Sequence, residues 1–200
     1  MVLCQASIGR LNLRPVYRIR QFWGALGWGA KPVEEDVLRT YLNAAQIALF
    51  QSMCAAEQRH SLAVLHTLQK NGYQGASSYG IIPRWAKGAE PALAQAALLH
   101  DVGKVGGRIR LWHRAATVLL HALRPALLYR LALNEPSSWR YPFFVLLHHD
   151  ERGADLCAGA GTEPVAVALI RAHHTAPEQS GLDAPGQALL AALRSADEQN

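Results

Sequence analysis

The segment that most constrains the fold is residues 91–101, Pro-Ala-Leu-Ala-Gln-Ala-Ala-Leu-Leu-His-Asp. Pro91 occupies the favoured first position of a helix, and the residues that follow are apolar on almost every side. Such a helix has to be enclosed by other elements, so the pattern predicts the central helix of a bundle. It delivers His100 and Asp101 into the interior, where a carboxylate is costly unless it is paired or bound to a metal.

Helical patterns dominate the rest of the chain, and the alternation typical of β-strands is nearly absent. The patterns predict helices at 34–50, 52–70, 91–102, 109–133 with a kink at Pro125, 142–160 with a bend near Gly153, 163–174 and 186–198. The stretch 72–88 is rich in Gly, Ser and Pro and predicts a loop. Helices and loops of these lengths favour an all-α helical bundle.

The net charge of +5 is concentrated at the N-terminus. Residues 1–33 carry five basic and no acidic side chains, whereas residues 34–200 are balanced. We therefore predict a basic N-terminal extension, 1–33, followed by one domain, 34–200. Within the extension, residues 14–26 mix arginines with aromatic side chains, which fits either a weak contact with a membrane surface or a helix that packs its aromatic face on the domain.

The remaining bulk features indicate a cytoplasmic protein. No run of about 18 uncharged apolar residues predicts a membrane-spanning helix, and the N-terminus lacks the pattern of a signal peptide. The three cysteines, Cys4, Cys54 and Cys157, lie far apart and form no CxxC motif. This spacing argues against a disulfide scaffold or a thiolate zinc site and fits a reducing compartment.

Further histidines and one aspartate accompany His100 and Asp101 on other helices. Each lies at the edge or end of an apolar helix, where a side chain can point into the bundle; they are His60, His149, His173, His174 and Asp197. A mixed imidazole and carboxylate site suits Mn, Fe, Co, Ni or Zn better than Ca. The alternative for Asp101 is a simple ion pair with Lys104, three residues later.

The order of these residues resembles the H…HD…D signature of the HD superfamily of metal-dependent phosphohydrolases, over about residues 52–200. His60, His100-Asp101 and Asp197 correspond to the signature, and residues 100–104 resemble the HDxGK form of its phosphodiesterase and nucleotidase branches. His149, Gly153, Ala154 and Leu156 form the pattern HxxxGAxL, one residue shorter before the Leu than the HxxxGAxxL helix of the five-histidine branches that it resembles. His173-His174 resembles the paired histidines of those branches.

The resemblance implies an HD-domain-like bundle that binds one or two divalent metals. A first ion would be held by His60, His100, Asp101 and Asp197; a second would be held by Asp101 as a bridge, His149 and His173, with His174 as a further candidate. The GYP motif of the cyclic-dinucleotide phosphodiesterases is missing, because residues 175–181 read Thr-Ala-Pro-Glu-Gln-Ser-Gly. The His174-Thr175 pair resembles bacterial dinucleoside tetraphosphate hydrolases of the same superfamily.

The expected activity is hydrolysis of a phosphoester, of a nucleotide or a related small phosphate, by metal-activated water. Asp101 and Lys104 are the candidate catalytic residues, and Lys104 and Arg152 are the candidate substrate contacts. Residues 102–140 carry seven basic side chains and one acidic one, which fits either an anionic substrate or a solvated helix face. The alternative function is a non-catalytic HD-type module that senses a nucleotide or a metal.

The other histidines are interpreted as packed or surface residues. His66, His113 and His121 lie outside the signature. His148 is a neighbour of His149 but points about 100° away on a helix, so we expect His149 to be the ligand.

Overall fold

The structure is a computed structural model that describes residues 35–71 and 90–200. Within those ranges it contains nine α-helices, two short 3-10 turns and no strand, which confirms the all-α bundle. The helices are α1 (Glu35–Tyr41), α2 (Ala44–Ser52), α3 (Ala55–Lys70), α4 (Glu90–Leu99), α5 (Leu111–Leu123), α6 (Pro125–Leu131), α7 (Tyr141–Gly159), α8 (Pro164–Ala172) and α9 (Ala184–Gln199), with 3-10 turns at Val102–Lys104 and Pro177–Gln179.

Helix α4 is the centre of the bundle, as its apolar sequence predicts. It packs against α3 and α8, and also against α1, α2 and α9. Its alanines and leucines are buried on every side, and Ala96, Ala97, Leu98 and Leu99 are fully enclosed. The small alanine side chains let neighbouring helices approach closely, so several helices share one hydrophobic core around α4.

The single helix predicted over 34–50 is wrong, because the chain breaks between α1 and α2. Asn43 caps α2: its side-chain oxygen accepts from the Gln46 N–H at 2.9 Å, and the Gln46 side chain accepts from the Asn43 N–H at 2.7 Å. This reciprocal arrangement satisfies amide groups that have no partner at a helix start. Asn43 also donates to the Ala160 carbonyl, and Gln46 donates to the Thr162 hydroxyl, so the break anchors α2 to the connection between α7 and α8.

Helices α5 to α7 differ from the sequence expectation in two details. The predicted long helix over 109–133 is divided at Arg124, and Pro125 begins α6 at a position that tolerates proline. The bend predicted near Gly153 is wrong: the non-helical residue inside α7 is His148, with φ −126° and ψ 16°. This bend directly precedes His149 and changes the direction in which α7 presents it.

Several sequence predictions concern residues outside the described ranges. These are the basic extension 1–33, its proposed membrane contact at 14–26, and the loop over 72–88. The described part of the predicted 34–200 domain packs around one core. No helix in the two described ranges is both long enough and apolar enough to cross a membrane.

Candidate metal centre

The turn that follows α4 lies directly against the backbone of α7. A Cβ atom added at Gly103 would lie 2.6 Å from the Gly153 nitrogen, and one added at Gly153 would lie 3.1 Å from the Gly103 nitrogen. Gly103 therefore permits a backbone approach that any side chain would prevent, and a side chain at Gly153 would push the turn away by a few tenths of an ångström. This approach sets Asp101 and Lys104, on either side of Gly103, beside the helix that carries His149.

Arg152 fixes the same turn through its guanidinium group. It donates to the Gly103 carbonyl at 3.1 Å, to the Val105 carbonyl at 3.3 Å and to the Tyr141 hydroxyl at 2.7 Å. These bonds engage all three of its nitrogens and hold the turn in place. The substrate contact predicted from the sequence stays a prediction, because a guanidinium has five N–H donors. Sequence reasoning missed the Tyr141 partner, which begins α7 eleven residues before Arg152 and belongs to no motif.

All seven metal ligands predicted from the sequence come together in one cluster. The potential ligands form two groups, and the ligand atoms inside each group lie within 4.8 Å of one another. The first group is His60, His100 and Asp101; the second is His149, His173 and His174. Asp197, on α9, joins the first group, because its Oδ1 atom accepts from His60 Nε2 at 2.8 Å and lies 3.7 Å from His100 Nε2. Five elements thus contribute side chains to one interior site.

Asp101 lies between the two groups. Its Oδ1 atom is 3.7 Å from His100 Nε2 in the first group and 3.7 Å from His149 Nε2 in the second. The Lys104 ammonium lies 2.6 Å from the same oxygen, so the ion pair considered from the sequence is present. One carboxylate oxygen is therefore within reach of both groups of imidazoles, which is the geometry that a bridging ligand requires.

Backbone carbonyls set the tautomers of three of the histidines. The Nδ1 atoms of His100, His149 and His173 each donate to a carbonyl three residues earlier on the same helix. The acceptors are Ala97, Leu146 and Ile170, at 3.0, 3.1 and 2.6 Å. Since a carbonyl only accepts, Nδ1 carries the proton and Nε2 keeps its lone pair.

These lone pairs point into the cluster, where they fit a cation. Among the described residues, His100 Nε2 and His173 Nε2 are buried without a hydrogen-bond partner, and His149 Nε2 lies 2.9 Å from His174 Nε2. Buried polar atoms without partners are unfavourable and need an explanation. A metal ion satisfies such nitrogens, and hydrogen bonds from the distal ring nitrogen are typical of metal-binding histidines.

The electrostatics of the cluster favour ionised carboxylates and neutral imidazoles at His149, His173 and His174, since burial lowers the pKa of all three histidines. Burial alone would raise the pKa of Asp101, but Lys104 and the surrounding histidines hold it well below its usual value. Burial, with the Lys104 charge, lowers the pKa of His149 well below its usual value, and burial likewise lowers the pKa of His173. Ionised carboxylate and neutral imidazole are the protonation states in which these groups bind metals.

His60 and Asp197 form a hydrogen-bonded pair at the edge of the cluster. Burial disfavours a charged imidazole, yet the hydrogen bond to Asp197 and the nearby Asp101 charge raise the pKa of His60 above its usual value. Burial likewise works against the Asp197 carboxylate, but the hydrogen bond from His60 lowers the pKa of Asp197.

The histidines interpreted as structural lie outside the cluster. His148 packs against Phe144, with ring centres 4.6 Å apart and the rings tilted by 35°, and is partly exposed, so the choice of His149 over it agrees with the geometry. His113 is buried and accepts from the Arg110 amide at 2.9 Å. Neither group of potential ligands contains His66 or His121.

Comparisons with known proteins add no family assignment. No protein-family model matches the chain, and no curated protein or solved structure matches it. The geometry of the cluster and the motif resemblance are therefore the basis for a function.

Proposed function

We propose that the chain is an HD-type metal-dependent phosphohydrolase acting on a nucleotide or a related small phosphoester. The observation that carries the proposal is the Asp101 Oδ1 atom, 3.7 Å from an imidazole Nε2 of each histidine group. Five imidazoles and two carboxylates converge there, from α3, α4, α7, α8, α9 and their connections. This donor set suits Mn, Fe, Co, Ni or Zn.

The ligands divide into two sets that share Asp101. His60, His100 and Asp197 would complete the set for a first ion, and His149, His173 and His174 would complete the set for a second. A bound divalent metal supplies Lewis acidity toward phosphoryl oxygens and a nucleophilic water at neutral pH.

The residues of the chain supply orientation and charge around that chemistry. The Nδ1 bonds to backbone carbonyls hold the His100, His149 and His173 rings with Nε2 toward the site. Arg152 and the contact between two glycines hold the turn that carries Asp101. The Lys104 ammonium lies at the edge of the cluster, so a phosphate that enters the site comes within its reach and is attracted by its charge.

Metal analysis and a hydrolysis screen on the same preparation test the proposal. We expect the purified chain to contain a transition metal or to take one up on titration, with a rise in Tm, because a ligand that binds only the folded state stabilises it. The metal-loaded chain should hydrolyse at least one substrate from a panel of nucleotides, cyclic dinucleotides, dinucleoside polyphosphates and bis-p-nitrophenyl phosphate. Failure to bind any metal contradicts the metal centre, whereas binding without turnover favours a sensing module.

A pair of adjacent histidines offers a matched control. His149→Gln should lower metal content and activity, because it removes a nitrogen that faces Asp101. His148→Gln changes a partly exposed neighbour that packs on Phe144, so it should leave both unchanged. Equal effects of the two substitutions would contradict the assignment of ligands.

The number of ions is tested by the double substitution His149→Ala/His173→Ala. If two metals bind, the metal content should fall from about two to about one per chain, since the first set of ligands stays intact. A content that stays near one while activity is lost assigns these histidines to direct contact with the substrate phosphate. Asp101→Asn should abolish activity under either outcome, because Asp101 contacts both sets.

A further inference from the structure

Helix α5 has an unusual distribution of side chains. Its exposed residues are all apolar: Leu111, Trp112, Ala115, Leu119, Ala122 and Leu123. Its polar residues are buried or half-buried, and His113 is among the buried ones. A helix on the surface of a water-soluble domain normally presents its polar side chains to solvent. The outward side of α5 is therefore suited to an apolar surrounding.

Helix α6 and Trp139 extend the same exposed surface. Leu127 and Tyr129 of α6 are exposed, and Trp139 is 63% exposed. Trp112 and Trp139 both lie edge-on to the Phe143 ring, with ring centres 5.9 and 6.3 Å from it, so the two indoles flank one region. We call the exposed side chains of 111–130 together with Trp139 the α5–α6 face.

The charge around the α5–α6 face is mostly positive, with exposed Glu135 near Trp139 and Glu57 of α3 paired with Arg114 as the acidic exceptions. Residues 102–134 contain no acidic side chain. Arg108, Arg110, Arg124 and Arg130 are exposed, and none of them forms an ion pair with a carboxylate among the described residues. An apolar surface surrounded by arginines is complementary to a surface that is apolar inside and negatively charged outside.

We propose that the α5–α6 face docks on a membrane surface that contains anionic phospholipids. The leucines would enter the boundary between headgroups and acyl chains, and the arginines would bind lipid phosphates. Tryptophan and tyrosine are enriched at that depth because their rings combine an apolar body with a polar group. Neither α5 nor α6 is long enough to cross a membrane, so the proposed contact is interfacial. This inference does not depend on the metal centre.

The composition of the α5–α6 face argues against three other partners: a second copy of the chain, the N-terminal residues 1–33 and a nucleic acid. A second copy paired across a two-fold axis would bring the exposed arginines of two copies together, with Glu135 as the one exposed acid that each copy adds. The N-terminal residues 1–33 are also basic and contain no acid, so their charge repels that of the face. A nucleic acid would pair with the arginines but would leave Leu119 and Leu123, which are 59% and 70% exposed, without apolar contacts.

Vesicle co-sedimentation of the full chain tests the proposal. Vesicles of phosphatidylcholine with and without phosphatidylserine are compared at low and high salt, with Leu119→Gln/Leu123→Gln and Arg124→Gln/Arg130→Gln beside the parent. We expect binding that requires phosphatidylserine and weakens with salt. Each double variant should bind about tenfold more weakly or worse, since buried leucines and arginines near the lipid each contribute to partitioning.

A matched control uses two exposed apolar residues on other helices. Leu156 on α7 and Val165 on α8 are 41% and 45% exposed, and Leu156→Gln/Val165→Gln should bind vesicles like the parent. Circular dichroism confirms that each variant is folded.

Several results would overturn the proposal. One is the absence of vesicle binding at low salt, and another is unchanged binding by Leu119→Gln/Leu123→Gln. A dimer in light scattering that the same substitution dissociates would assign the face to a second copy. Binding of single-stranded RNA without vesicle binding would assign it to nucleic acid.

Discussion

Gly103→Ala adds one methyl group where the turn after α4 lies against the backbone of α7. The new Cβ atom would lie 2.6 Å from the Gly153 nitrogen and 2.7 Å from the His149 carbonyl carbon, and closer still to the carbonyl oxygen. Ordinary contacts lie at 3.4–4 Å. All three neighbours are backbone atoms, so no side chain can rotate away and the turn must separate from α7.

The expected loss of stability is at the upper end of the range for overpacked sites. Substitutions that overpack a site lower the free energy of unfolding by about 1–3 kcal/mol and occasionally more. Because the added methyl group meets backbone atoms, we expect a loss of about 3 kcal/mol. For a chain of 200 residues, that loss lowers Tm by roughly 6–12 °C. The same movement should displace Asp101 and Lys104, which flank Gly103 in sequence, and so weaken metal binding.

Urea unfolding and metal titration on the same variant measure both effects. The control is Gly159→Ala at the end of α7, where an added Cβ meets nothing within 4 Å. That substitution should leave stability unchanged or raise it by up to about 1 kcal/mol, because alanine favours a helix over glycine. The reasoning is refuted if Gly103→Ala unfolds within about 0.5 kcal/mol of the parent and retains its metal affinity.

Three further predictions concern other parts of the site and core. Arg152→Met should lower the free energy of unfolding by about 1–3 kcal/mol, since it leaves two carbonyls without a donor, and should weaken metal binding. Arg171→Met removes only a surface ion pair and should change neither; similar effects of the two would contradict the positioning role. Burial lowers the pKa of His149 and His173 below the usual 6.5, so in chelator-treated protein the unfolded state takes up protons first as pH falls below 6.5. The contribution of these two histidines is therefore greatest above pH 6.5 and falls below it by up to about 1.4 kcal/mol per pH unit and group, and the raised pKa of His60 offsets it in part; a Tm that stays flat from pH 7.5 to 5.5 would count against it. Burial raises the pKa of the Cys157 thiol to about 12, so iodoacetamide should modify it only after unfolding, and rapid modification of the folded chain would show an open core.

The sequence by itself determined the helical class and the set of candidate ligands. A helix that is apolar on every side has to be central, and its last residues, His100 and Asp101, have to enter the core. The other ligands were identified through an ordered motif, and the structure brings His60, His149 and Asp197 to the same place. Each of these conclusions depends on local periodicity and on residue order, which a sequence displays directly.

Only the tertiary structure decided features that depend on contacts between distant segments. The sequence predicts a bend in α7 near Gly153, but the bend lies at His148. Gly153 instead lies against Gly103, where its missing side chain lets the two backbones approach closely. The sequence predicts Arg152 as a substrate contact, and only the structure shows that its guanidinium donates to two carbonyls about fifty residues earlier.

The exposure of the outward face of α5 is also a feature that only the tertiary structure decides. Periodicity identifies an apolar stripe that includes Leu119 and Leu123, but not whether another helix covers it. In the structure this stripe is exposed, whereas the stripe of α4 is enclosed. The physical reason is that periodicity fixes which side chains share one side of a helix, while burial depends on which other elements pack against that side.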